Sequence, residues 1–547
     1  MSNRFRLFAV ALASLLLALP PARAVEQLEL ELDGLRLPID LQLLQQWSRT
    51  PRRAGGDLAL WLNLLSAADR RSLARLLRVP LLKERSFGLQ LLNSWTGERL
   101  LEELGGLLIT PAGFSTAAQL DRCLRQLLAR RGEVTALELL QALPGRSVVL
   151  RLDGLLHLAE HWRQQLAHHR DAIARLPRLD LPRRDSRALV LAGSAGRQPQ
   201  RLELTVAHRA APLPLELWPS REARATPWLL LMPGLGGNSD ELGWLAAALS
   251  AQGWPVLVVE HPGSNGQAVR ATLQGEAPPP GAESLPDRLA DLQAVLAAQR
   301  DGQLPPLGPP PAGERGVVFV GHSLGGLAAL MAAGLVPEQG LAQRCRQGRP
   351  GLPLTNLSRL LQCQLPQVTG ESSGGVAPPD PALAGSTRLL GVVAFNGFGS
   401  LLWPAVGLAP LDLPVLLVGG SLDLVTPPIE EQLSLFVRAR HPRSRLVLVE
   451  GGSHFSPVRL SGGGEALFQL GEELVGVEPH RVQELLLSLT AEFLQGWDHP
   501  LLLPPQRRVQ SGVVAYVLDP AQARRWRGGI RTAPADPAAP PADPPPR

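Results

Sequence analysis

Cysteine is scarce: three in 547 residues, too few for a disulfide-built scaffold. Lysine is scarcer. Lys83 is the only one, so nearly all of the 54 basic residues are arginine. That skew runs along the whole chain and marks a compositional bias, not a binding patch. Arg70, Arg71, Arg75 and Arg78 are typical of these scattered arginines, most of which are interspersed with acidic residues. No stretch combines basic residues with the exposed aromatics on which single-stranded nucleic acid stacks. The formal charge of +5 therefore calls for no nucleic-acid partner; solvated helix faces account for it. Charged residues are only 19% and hydrophobic residues 45%, which excludes global disorder.

A membrane-spanning run is also lacking in the body of the chain. Leu389 to Leu408 carries no charge over its 20 residues, but contains Gly391, Asn396, Gly397, Gly399 and Pro404. It reads as a buried strand followed by a loop. In residues 25–180 no group of His, Cys, Asp and Glu clusters at metal-ligand spacing. His157, His161, His168 and His169 lie at helical intervals, and read as solvated helix histidines. No metal and no cofactor is expected.

What is present begins with a secretory leader. Arg4 and Arg6 precede the apolar run Leu7–Leu19, which is too short to span a bilayer, and Ala22-Arg23-Ala24 suits a cleavage site. There is no twin-arginine pair and no lipid-anchor cysteine, so residues 1–24 predict Sec export to the periplasm or beyond. Its removal takes three arginines, Arg4, Arg6 and Arg23, and no acid, so the net charge of +5 falls to +2. No transmembrane segment remains after cleavage.

At about 150 residues per domain the length predicts about three to four domains. Residues 25–180 are leucine-rich with helical periodicity, opened by a strand or hairpin over Glu26–Leu37. The partner of this helical domain is not legible. Residues 181–200 are polar and suit a linker. Over 201–500 short β runs alternate with helices, which implies a parallel sheet covered on both faces. The runs are Leu202–Ala207, Trp228–Met232, Pro255–Glu260, Gly316–Val320, Leu389–Phe395, Pro414–Val418 and Leu446–Glu450. Residues 341–388 form an insertion. Its Cys345 and Cys363 could pair in an oxidising compartment, contributing about 3 kcal/mol; Cys123 would be a lone buried thiol. Residues 501–547 are a C-terminal extension, disordered from about 531 where Pro, Ala and Asp dominate.

The strongest chemical signal is Gly321-His322-Ser323-Leu324-Gly325. It follows an apolar β run and opens a helix, the setting in which a serine hydroxyl is exposed at a strained turn. A second match, Gly370-Glu371-Ser372-Ser373-Gly374, has prolines around it and neither strand nor helix beside it, and reads as a loop. A serine nucleophile needs a base, and the base an orienting acid. In a parallel sheet these come from the carboxyl ends of strands. Asp423 follows Pro414–Val418 and His454 follows Leu446–Glu450, giving the order Ser, Asp, His. Asp412 precedes its strand and lies at the wrong edge. Pro233-Gly234-Leu235-Gly236-Gly237 follows another strand, and makes the amides of Leu235 and Leu324 the expected oxyanion-hole donors. That loop lacks the lysine and spacing of a phosphate cradle.

With these residues in place, positions from about 200 to 500 resemble an α/β-hydrolase: a mostly parallel sheet with helices on both faces, here preceded by a mainly helical N-terminal domain. Glu260-His261-Pro262-Gly263-Ser264 is similar to the segment after the fourth strand in the dienelactone-hydrolase and platelet-activating-factor-acetylhydrolase-like branch. Dienelactone hydrolases use cysteine where this chain has Ser323. Acetylhydrolases take their aspartate after the sixth strand, where this chain has Asn396, so the acid moves to Asp423. Leu100–Leu150, with Leu104-Gly105-Gly106 and Ala142-Leu143-Pro144, resembles the uncharacterised domain preceding such hydrolases in exported cyanobacterial-type proteins. The resemblance implies a serine esterase acting on small-molecule or lipid esters. The alternative is a binding or scaffold protein retaining the fold, with the helical domain as a partner-binding module.

Overall fold

Gln27–Leu32 (β1) and Leu35–Asp40 (β2) alternate leucine with polar residues, and between them Asp33 and Gly34 take φ of 49° and 77°. Positive φ at both positions is the tight hairpin turn whose twist matches its flanking strands. The computed structural model describes residues 25–530 apart from 52–56, 64, 83–84, 132, 186–197, 348–355, 370–387, 460–476, 498 and 500–502. The expected leader, the motif around Ser372 and the tail from about 531 lie outside the described residues.

In the first of two units, Pro80–Leu82 (β3), Leu108–Ile109 (β4), Val134–Thr135 (β5) and Ser147–Arg151 (β6) follow the hairpin. A four-stranded sheet has the order β2-β1-β6-β4, and β3 pairs with β5. Helices Leu41–Arg49, Ala67–Arg78 and Trp95–Leu107 start where Asp40, Ser66 and Ser94 accept backbone N–H bonds of the first turn. Their apolar stripes meet in a core that includes Leu41, Trp47, Leu77, Leu101, Leu120 and Leu128.

The second unit begins at His161, inside the helix Leu152–Ile173; Thr272–Pro278 is grouped with the first unit. The sequence puts this boundary near 180, and the packing explains the difference. Ala172 and Leu176 are fully buried in the second unit's core, and Trp526 Nε1 donates to Ala172 O at 2.9 Å. His169 is likewise buried, not solvated as its helical spacing implies. Part of the expected linker is an edge strand, Arg183–Asp185 (β7).

The strands that follow are Gln200–Leu204 (β8), Leu213–Trp218 (β9), Thr226–Met232 (β10), Val256–Val259 (β11), Ala312–His322 (β12), Leu389–Phe395 (β13), Val415–Gly420 (β14), Arg445–Val449 (β15), Gln506–Gln510 (β16) and Val513–Leu518 (β17). They form one sheet with the order β7-β16-β17-β15-β14-β13-β12-β10-β11-β9-β8. From β11 to β15 every neighbour is parallel. These strands are apolar on both sides because both sides are covered. Leu230 and Met232 face the helices Leu285–Arg300 and Leu324–Ala332, while Leu229 and Leu231 face Asp240–Ala251 and Pro479–Gln495. The expected C-terminal extension supplies β16, β17 and the helix Pro520–Gly529, so its first part belongs to the sheet. Among the described residues no helix is long and apolar enough to cross a membrane.

Candidate active site

The elbow is built by close packing. A Cβ added at Gly321 would lie 2.2 Å from Gly325 O, and one at Gly325 would lie 2.2 Å from Met232 O. Only glycine lets β12 turn back into the helix Leu324–Ala332 beside β10. The residue between takes the strain: Ser323 has φ 52° and ψ −117°. Such a conformation costs about 1–3 kcal/mol in a non-glycine residue and persists only where its surroundings enforce it. Here Ser323 N donates to Phe395 O at 2.9 Å, and Ser323 O accepts from Leu327 N.

Asp423 follows the end of β14 by three residues, after Ser421 and Leu422, and is fully buried. Its Oδ1 accepts from Val425 N and Thr426 N, both at 2.8 Å. Its Oδ2 accepts from Asn396 Nδ2 at 2.6 Å, Thr426 Oγ1 at 2.6 Å and His454 Nδ1 at 2.9 Å. Burial pushes the carboxyl up, but His454 and the Thr426 donors outweigh it and hold the group at about 2. The acid is therefore a carboxylate, and Nδ1 of His454 carries the shared proton. In a neutral ring with that bond, Nε2 is the lone-pair nitrogen.

The loops bearing Asp423 and His454 are bonded to each other: Ser421 N to Val449 O, Leu422 N to Gly452 O, and Gly451 N to Ser421 Oγ. His454 is joined to the elbow through His322, whose Nε2 lies 2.9 Å from His454 O and whose ring centroid is 4.9 Å from the His454 ring. Burial and then the neighbouring His454 push His322 down to about 3, so it stays neutral. Ser323 Oγ makes no hydrogen bond among the described residues; bonds of this kind commonly tighten only in the substrate complex.

The loop Pro233–Gly237 lies against the serine. A Cβ on Gly234 would stand 3.3 Å from Ser323 Cβ and 2.9 Å from His322 Nδ1. The N–H of Leu324 opens a helix and so has no partner within it. Among the described residues, neither it nor the N–H of Leu235 donates to a protein acceptor.

Sequence reasoning missed three contributors. Asn396, the position at which acetylhydrolases carry their acid, instead donates to the acid that follows the next strand. Thr426 stands three residues after Asp423, a spacing typical of an aspartate-capped turn, and that was the available signal. His169 Nε2 bonds Ser421 O at 2.8 Å across 252 residues of sequence, for which no local signal exists.

Cys345 and Cys363 are joined by a disulfide with Cα atoms 5.5 Å apart, linking the helices Leu341–Gln347 and Ser358–Thr369. Cys123 is free and buried. Among the described residues no group of three His, Cys, Asp or Glu could hold a metal ion. A cleft of about 790 Å³ lined by Trp228, Arg300, Arg315, Arg388 and Trp497 opens at the amino ends of β12 and β13, opposite Ser323.

Residues 229–461 match the family model described as alpha/beta hydrolase family. Residues 24–150 match the one described as alpha/beta hydrolase of unknown function. No curated protein matches the chain. The first match starts in β10 and ends beyond His454, so it spans the Leu235 loop, Ser323, Asp423 and His454. Together with the sheet order, it gives the second unit the α/β-hydrolase fold. The matches reach that level and single out no narrower branch.

Proposed function

We propose that this protein is an exported serine hydrolase that cleaves carboxylic esters with a hydrophobic part. One observation carries the reading: Ser323 sits in a strained strand-to-helix turn, and its neighbour His322 reaches the backbone of His454, which is paired with the buried Asp423. His454 Nε2 takes the proton of Ser323 Oγ as the oxygen attacks the ester carbonyl carbon. The oxyanion is held by the N–H groups of Leu235 and Leu324, and Asp423 stabilises the imidazolium. His454 then gives the proton to the departing alkoxide, leaving an acyl-enzyme. Water, deprotonated by the same imidazole, releases the acid and restores Ser323.

The disulfide between Cys345 and Cys363 supports an oxidising compartment, and with it export. The hydrophobic preference rests on the apolar surroundings and the insertion over 341–388, and extends to lipid esters. A p-nitrophenyl ester series of increasing acyl length tests the reading. Wild type should turn over with an acyl-enzyme burst of one equivalent, and Ser323→Ala should lose both burst and turnover. Folded wild type without turnover on any chain length would favour a binding role for the fold.

A further inference from the structure

The candidate mechanism needs the Leu235 N–H held in one direction, yet its loop is Pro-Gly-Leu-Gly-Gly, which by itself holds a peptide poorly. The helix Leu285–Arg300 sends Arg288, only 1% exposed, to this loop. Its Nη1 donates to Pro233 O at 2.8 Å and its Nη2 to Gly234 O at 2.9 Å. Its Nε donates to Ser264 Oγ at 2.9 Å, and Nη2 reaches Ser264 O at 3.2 Å. Ser264 O in turn accepts from Gly236 N at 2.8 Å. Burying a guanidinium is costly unless its donors are satisfied and its charge is countered. Asp291, one turn on, supplies the charge. Arg209 grips Asp291 at 2.5 and 2.6 Å, and His208 and His261 each bond it at 2.8 Å.

A trans peptide is planar, so the N–H of Leu235 points opposite to the C=O of Gly234. Arg288 fixes that C=O, and the freed N–H finds no protein acceptor. Meanwhile the Gly234 Cα faces Ser323. We propose that Arg288 is a positioning residue for ester hydrolysis, clamping the Pro233 and Gly234 carbonyls so that the Leu235 N–H stays aimed at the oxyanion. This rests on the serine-hydrolase reading.

The test compares wild type, Arg288→Lys and Arg288→Ala in kcat, KM and the second-order rate of fluorophosphonate labelling, with concentrations set by folded protein. Lysine keeps the charge but loses the fork that spans two carbonyls. Arg288→Lys should lose about 10²-fold in both kcat and labelling rate, the scale of a lost oxyanion donor, with KM changed less than about twofold. Added guanidinium should restore part of the activity of Arg288→Ala, and ethylammonium should not. A folded Arg288→Lys with wild-type kcat and labelling rate, or with a change in KM alone, would overturn the proposal. If neither variant folds, Ser264→Ala carries the test. It removes the Nε acceptor together with the long bond from Ser264 Oγ to His261 O (3.4 Å) while leaving the Ser264 carbonyl in place. It should lower kcat several-fold at constant KM, and overturns the proposal if kcat is unchanged. Wild type that is folded but never labelled would instead refute the serine-hydrolase reading.

Discussion

Asp423 is a buried carboxyl whose two oxygens accept five hydrogen bonds, and those donors decide its charge. A charge without them would be expelled from the interior. Asp423→Asn keeps the shape but inverts the hydrogen-bond logic at His454 Nδ1. Steady-state kinetics should show kcat falling about 10⁴-fold with KM little altered. Asn396→Ala removes a donor to a buried carboxylate, and urea unfolding should show a loss of about 1.5–3 kcal/mol. A loss near zero would mean that Asn396 is a bystander. Ser323, Asp423 and His454 were legible because each sits just past an apolar run, where the sheet topology gathers loops. Asn396 and His169 were not, since their partners are fixed only once distant strands and helices pack.

At the scale of elements, the apolar strands read well and the polar ones did not. β16 carries Gln506, Arg507, Arg508 and Gln510, and several of these are buried against the helix Pro479–Gln495 and its neighbours rather than exposed. A signal existed: Ser511 and Gly512, with φ of 49° and 80°, form the two-residue turn between β16 and β17. Pro214 interrupts the apolar pattern of β9, so the sequence shows no run there, and its pairing with β8 and β11 nonetheless holds it in the sheet. The insertion makes its own prediction. Its two cysteines enclose a loop of 17 residues, so the double substitution Cys345→Ser and Cys363→Ser should lower stability by about 3 kcal/mol. Denaturant unfolding checks this, and an unchanged midpoint would show the bridge to be idle.

For the molecule as a whole, acid is the revealing perturbation. Burial lowers His169, His261 and His322 below their ordinary 6.5, the last two to about 4 and about 3. The unfolded chain takes up these protons near 6.5 and the folded chain does not. Their contribution is therefore complete above pH 6.5 and is lost as pH falls towards the folded values. The loss is about 1.4 kcal/mol per pH unit for each histidine still neutral in the fold. Asp423 adds a loss of the same sign below its ordinary 3.8, towards about 2. Glu241 and Glu430, both pushed up to about 7 by burial, act with the opposite sign between pH 7 and their ordinary 4.5. The test is therefore a comparison of variants: from pH 7.5 to 5 the urea midpoint of His261→Gln should lose less than that of wild type, and an identical pH slope would contradict the burial argument. The central claim concerns one hydroxyl among the chain's serines. Incubating folded, full-length protein with a fluorophosphonate and mapping the adduct by mass spectrometry tests it most directly. The account predicts a single adduct, on the peptide bearing Ser323, that disappears in Ser323→Ala; an adduct on another serine, or equal labelling of Ser323→Ala, would contradict it.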